Sequence, residues 1–147
     1  MKALLAYGSK HVASRLAERL RRVSGIEIIV QAHDTADAMA QAISTSPELV
    51  VVDLFLPGGS GLVLLKHVKD NLTRSTVMMT TGSVFPQDRR QCLRSGADFF
   101  FHLPDEVGRL ILAIAELARN DSSASPGTGE SQSLQRGEDV QCNGSMI

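Results

Sequence analysis

The sequence predicts an α/β domain built on a doubly wound, five-stranded parallel sheet with helices on both faces. Three observations lead there. Val50-Val51-Val52 closes a continuous apolar run with one carboxylate, Asp53, after which the chain turns through Pro57, Gly58 and Gly59 toward a helix. An unbroken Val/Leu run bounded by turn residues is the pattern of a parallel strand buried on both faces; a half-exposed strand alternates instead. Similar short runs recur at residues 3–7, 26–32, 76–80 and 99–103, and amphipathic stretches separate them. Such alternation calls for right-handed crossovers that lay successive helices on the sheet.

The elements follow in order. After the first strand, Val12, Leu16, Leu20 and Val23 recur at helical spacing until Gly25 stops the helix. Residues 26–32 form the second strand. Asp34 or Thr35 suits a helix N-cap, and Ala36, Met39, Ala40 and Ile43 supply an apolar face before Pro47 ends the helix. Ser60 opens the helix after Asp53, with Leu62, Leu65 and Val68 or Leu72 inward and Lys66, His67, Lys69 and Asp70 outward. Pro86 fits the first turn of a helix that runs to Arg94 and is stopped by Gly96. Asp105 begins the last helix, whose inward set includes Leu110, Ile114 and Leu117. From Asn120 the periodicity ends, and the remaining 28 positions hold six serines and four glycines. Burial there cannot offset the entropy of ordering, so one domain is expected over residues 1–119 and a disordered polar tail over 120–147.

Composition narrows the function classes. A 147-residue chain with 43% hydrophobic and 21% charged residues has the material for a core without metal or disulfide staples. A net charge of −1 leaves no basic footprint for direct nucleic-acid binding, and no apolar run is long enough to span a membrane. The first apolar stretch is too short for a signal-peptide core, so a cytoplasmic location is the expectation. Cys92 and Cys142 make no disulfide framework, and His11, His33, His67 and His102 lack zinc-ligand spacing.

Asp53 closes a strand in the middle of the chain, and in open α/β sheets chemistry gathers at the carboxyl ends of the strands. A lone aspartate at that place is also an ordinary turn former. Two further segments bear on it: Thr76-Val77-Met78-Met79-Thr80-Thr81-Gly82, and Gly96-Ala97-Asp98-Phe99-Phe100-Phe101-His102-Leu103-Pro104. Together with Leu56-Pro57-Gly58-Gly59-Ser60-Gly61 after Asp53, they resemble, in order, the receiver domain of bacterial two-component response regulators over roughly residues 2–119. The resemblance implies a flavodoxin-like strand order, 2-1-3-4-5. It implies Asp53 as phospho-acceptor, Thr81 as the hydroxyl that contacts the phosphoryl group, and Phe100 as the aromatic switch residue coupled to Thr81. It also implies a candidate cis bond at Leu103-Pro104.

Receiver chemistry further needs an acidic pair after the first strand and a lysine after the fifth, because an incoming phosphoryl group brings negative charge to a carboxylate. Here the pair falls on Tyr7-Gly8, or on Ala6-Tyr7 if shifted by one, and the lysine position falls on Leu103. His102 is adjacent, but strand alternation points it to the other face. Only Asp53 and the backbone carbonyl of Phe55 remain to hold Mg2+, so any binding is expected to be weak.

These residues suggest a stand-alone, atypical receiver that acts by protein–protein interaction, with phosphorylation at Asp53 reduced or lost, and not an enzyme. Its expected partner is a sensor histidine kinase or other signalling protein, met through the face of the fourth helix, fifth strand and fifth helix. Arg89, Arg90, Arg94, Arg109 and Arg119 lie on those two helices. The alternative is a working phospho-accepting regulator or phosphoryl carrier. A remote one is a serine hydrolase using Ser60, whose Gly58-Gly59-Ser60-Gly61-Leu62 run lacks the final glycine of a nucleophile elbow. Tyr7-Gly8-Ser9-Lys10 similarly lacks the earlier glycine of a P-loop.

Overall fold

A computed structural model describes residues 1–82 and 85–122. Strands and helices alternate as β1 (Lys2–Ala6), α1 (Lys10–Leu20), β2 (Ile28–Ala32), α2 (Thr35–Thr45), β3 (Leu49–Asp53), α3 (Gly61–Asn71), β4 (Thr76–Thr81), α4 (Pro86–Arg94), β5 (Phe99–His102) and α5 (Val107–Ser122). All neighbours are parallel, in the order β2-β1-β3-β4-β5, so the expected doubly wound, flavodoxin-like sheet is the observed one.

Alternation along the strands feeds two cores. Leu4, Val50, Val52, Val77 and Met79 face α2, α3 and α4, where Ala38, Ala42, Leu64, Leu65, Val68 and Cys92 cover them. Leu5, Val51 and Met78 face α1 and α5, meeting Leu16, Leu20, Leu110 and Ile114. Leu4, Leu5, Leu64 and Leu65 are fully buried, each contributing about 1.5–3 kcal/mol relative to exposure. Among the described residues no helix is long and apolar enough to cross a membrane.

Several details differ from the sequence reading. The inward face of α2 is Thr35, Ala38 and Ala42 with Met39 beside them, while Ile43 is half exposed. Thr35 sets this rotation: its amide and hydroxyl both donate to the Pro57 carbonyl, at 2.9 and 3.0 Å. Val12 is exposed, because α1 turns Ala13, Leu16, Ala17 and Leu20 to the core instead. α3 adds Leu64 to its buried face, with Leu62 and Leu72 partly buried against the core, and His67 is half-buried rather than outward. β2 starts at Ile28, and α5 starts at Val107 because residues 103–106 form turns held by reciprocal bonds between His102 and Glu106. α5 continues to Ser122, past the expected boundary at 119, and the rest of the tail lies outside the described residues.

Candidate functional site

The carboxyl ends of β1, β3 and β4 converge on Asp53. The turn after β3 is tight because Gly61, first residue of α3, donates its amide to the Leu54 carbonyl at 2.8 Å. A Cβ at position 61 would collide with the Asp53 carbonyl, so only glycine lets α3 start this close to the strand end. Ser60 caps α3, accepting the Leu62 amide at 3.0 Å. That cap accounts for the serine without any catalytic role. Asp53 is half-buried and accepts the Phe55 amide at 3.2 Å. Burial raises its pKa above the ordinary carboxylate value, and the Phe55 bond opposes the shift.

Tyr7 dominates the ground beside it. The residue directly follows β1, its amide bonds the Ala32 carbonyl at 3.0 Å, and its side chain is buried. Its hydroxyl lies 2.7 Å from Thr80 Oγ1, which in turn donates to the Val52 carbonyl at 3.2 Å. With the threonine proton so used, Tyr7 is the donor in the first bond. Since β3 lies between β1 and β4, the phenol reaches across the carboxyl end of β3 to make it. Burial drives the Tyr7 pKa far above its usual value; the Thr80 bond opposes this and the Asp53 charge adds to it. The phenol is therefore protonated at any physiological pH. Gly8 has no room for a side chain, as a Cβ there would stand 2.8 Å from Cγ and Cδ of Pro57.

Thr80, unlike Thr81, was not legible as a site residue. Its signal lies in the register: Thr80 is the pairing partner of Asp53, so it shares that residue's side of the sheet. Thr81 is buried one residue on, with Met79 and Phe100 on the α4 side. Phe100 is buried, and the Arg89 guanidinium carbon sits 5.6 Å from its ring centroid. Leu103 is half-buried, and the Leu103-Pro104 bond is cis. His102 turns elsewhere, its Nδ1 3.1 Å from Asp105 and its Nε2 3.2 Å from the Gly82 carbonyl. Ala6 is paired inside the sheet with Ala32 and Val52, so Tyr7 and Gly8 are the residues that emerge at the site.

The family model of the response regulator receiver domain matches residues 4–115. The chain belongs to this family. As a receiver it is 35% identical over 95 residues to the phosphate regulon transcriptional regulatory protein PhoB of Escherichia coli, a match covering 63% of this chain and 42% of PhoB. It is 30% identical over 115 residues to the sensory/regulatory protein RpfC of Xanthomonas campestris, covering 74% of this chain and 15% of RpfC. The chain thus spans less than half the length of either. Among solved structures, a CheY-like receiver from Methanospirillum hungatei superposes with a TM-score of 0.72 at 20% identity, covering 83% of this chain and 96% of that one. A Burkholderia pseudomallei response regulator, solved with a phosphorylated aspartic acid, calcium ion and citrate, gives 0.69 at 25% identity, covering 94% of this chain and 74% of that one. Receiver domains are signalling domains that work with histidine kinases and other signalling proteins, and they typically hold Mg2+ beside the phospho-acceptor.

The residues here fit that metal poorly. Asp53 and the Phe55 carbonyl remain, while Tyr7 is neutral with its proton committed to Thr80, and Gly8 brings no donor. Among the described residues no three His, Cys, Asp or Glu side chains come together as a metal site. Divalent affinity follows ligand charge and number, so one carboxylate is a meagre set.

Proposed function

We propose that this chain is an atypical receiver of two-component signalling, cytoplasmic, with Mg2+-dependent phosphorylation of Asp53 reduced or absent, working through protein–protein contact. The observation that carries the reading is the Tyr7 phenol lying across the end of β3, bonded to Thr80, where a complete receiver keeps acidic metal ligands. Leu103 compounds the loss. A phosphoryl group on Asp53 would meet neither the lysine nor a strongly held cation, so its charge would go largely uncompensated. A phosphorylated state that contacts nothing differently has little leverage on the equilibrium between Thr81 and Phe100 rotamers.

The partner-facing surface of this proposal is that of α4, β5 and α5. Leu93 on α4 and Leu112 on α5 are exposed, and Arg90 and Arg94 stand in solvent on α4. Arg109 is less free, reaching Glu106 at 3.4 Å. A sensor kinase or other signalling protein is the proposed partner. The test is incubation with acetyl phosphate or a beryllofluoride mimic, with and without magnesium, read in the amide spectrum. The expected result is near-silence at Thr81 and Phe100, and partner binding that survives Asp53→Asn. Shifts running from Asp53 through Thr81 to Phe100 would overturn it.

One observation favours a second reading, a phospho-accepting regulator or phosphoryl carrier. The Phe55 amide engages one oxygen of Asp53, leaving the other available to attack. The same incubation read by intact-protein mass separates the two readings, since a carrier gains a phosphoryl group even without a conformational response.

A further inference from the structure

A cavity of about 690 Å3 runs from Asp53 into the groove between α1 and the start of α5. Its size is that of a small-molecule site, and its walls are mainly apolar: Leu16 and Val12 from α1, with Leu103, Pro104 and Val107 opposite. Val12 is 41% exposed here although α1 has a core available to it, so an apolar side chain is presented to the groove. The polar lining comes from the strand ends, with Asp53, Thr80 and Thr81, and from Ser9 and the exposed face of α1. Asp53 lies at one end with a single hydrogen-bond donor, the Phe55 amide. Arg15 and Arg19, one helical turn apart and exposed on α1, lie at the rim, and among the described residues neither forms an ion pair. Glu18 and His11 also reach the lining.

We propose that this groove binds a small amphipathic organic anion, with its acidic group at Arg15 and Arg19, an apolar body against Leu16, Leu103 and Val107, and an N–H or O–H directed at Asp53. Charge decides the orientation. Among the described lining residues no lysine or arginine comes from the strand ends beside Asp53, where Leu103 stands in place of lysine, and an anion would face the Asp53 carboxylate there. Two unpaired guanidiniums offer the opposite sign at the rim. A bare phosphate would leave the apolar walls wet, which argues for a ligand with a hydrocarbon or aryl body. The site goes beyond the atypical-receiver reading, because the cavity exists whether or not Asp53 accepts phosphate.

The probe is anilinonaphthalene sulfonate, which carries one sulfonate, a fused aryl body and one N–H. It is titrated into the full chain without magnesium or phosphodonor, and binding is read by amide shifts and by the melting temperature. The expected result is a saturable set of shifts at Val12, Leu103 and Val107 together with a raised melting temperature, since a ligand of the native state stabilises it. Arg15→Ala with Arg19→Ala should weaken binding about tenfold, by the usual worth of two exposed charge contacts. Val12→Trp, a change on the helix surface, should block the groove without touching the core. Ile43→Ala on α2 should have no effect. Shifts centred elsewhere, a lowered melting temperature, or affinity unmoved in both the double-arginine and Val12→Trp variants would refute the site. None of those outcomes bears on phosphorylation, which the donor experiment reads separately.

Discussion

Removing the Tyr7 hydroxyl gives a direct test of the buried chain Tyr7–Thr80–Val52. In Tyr7→Phe the ring stays, Thr80 still donates to the Val52 carbonyl, and a single bond between neutral groups at 2.7 Å is lost. Such a bond has a net value of about 1 kcal/mol. For a folded unit of this size that is a drop of roughly 3–6 °C in melting temperature. Thr80→Val is the harsher change, because it leaves the Tyr7 hydroxyl buried without an acceptor, a situation that costs about 1–3 kcal/mol. In the double variant neither group remains to be unsatisfied, so its loss should fall short of the sum of the singles by at least about 0.5 kcal/mol. Urea unfolding of the four proteins measures this coupling. Additivity within about 0.3 kcal/mol would mean that the two hydroxyls do not interact, and that nothing ties the phenol across β3.

Asp53→Asn should raise stability at neutral pH, because it keeps an acceptor for the Phe55 amide and removes a half-buried charge. The sign follows from the raised native pKa: the native state favours the protonated carboxyl. Wild type therefore gains stability as pH falls through that pKa, and the advantage of Asp53→Asn shrinks toward acid, as melting curves across pH will show. Calorimetric titration should find magnesium binding weaker than about millimolar, with its small heat abolished in Asp53→Asn; binding at about millimolar or tighter would mean that ligands beyond Asp53 and Phe55 serve. Deleting residues 123–147 should leave the melting temperature within about 2 °C, the proposed folded unit ending with α5 at Ser122. A larger drop would place packing contacts in the tail.

The fold was legible because parallel strands advertise themselves as apolar runs and the intervening helices as amphipathic ones. Faces were harder to read. On α2, periodicity selects Met39 and Ile43 for their size, yet the helix is turned by the buried bonds of Thr35 to Pro57, so Ala38 and Ala42 meet the sheet. Asp53, Thr81, Phe100 and Leu103 are singled out by motif, and the uncharged residues at Tyr7, Gly8 and Leu103 are plain from the letters alone. What Tyr7 does there could not. Its partner is 73 residues away on a strand two places over, and only the assembled order β1-β3-β4 brings the pair together.

The contact between Gly8 and the Pro57 ring couples the loop after β1 to the turn after β3. An aspartate arriving at position 8 in the present background would meet the proline ring at 2.8 Å before it reached any cation, so that step alone is destabilising. The Pro57 carbonyl also holds Thr35, which sets the rotation of α2, so relieving the contact disturbs a second element. Any side chain introduced at position 8 therefore has to be accommodated at the turn after Asp53, so the loop after β1 and that turn act as one unit.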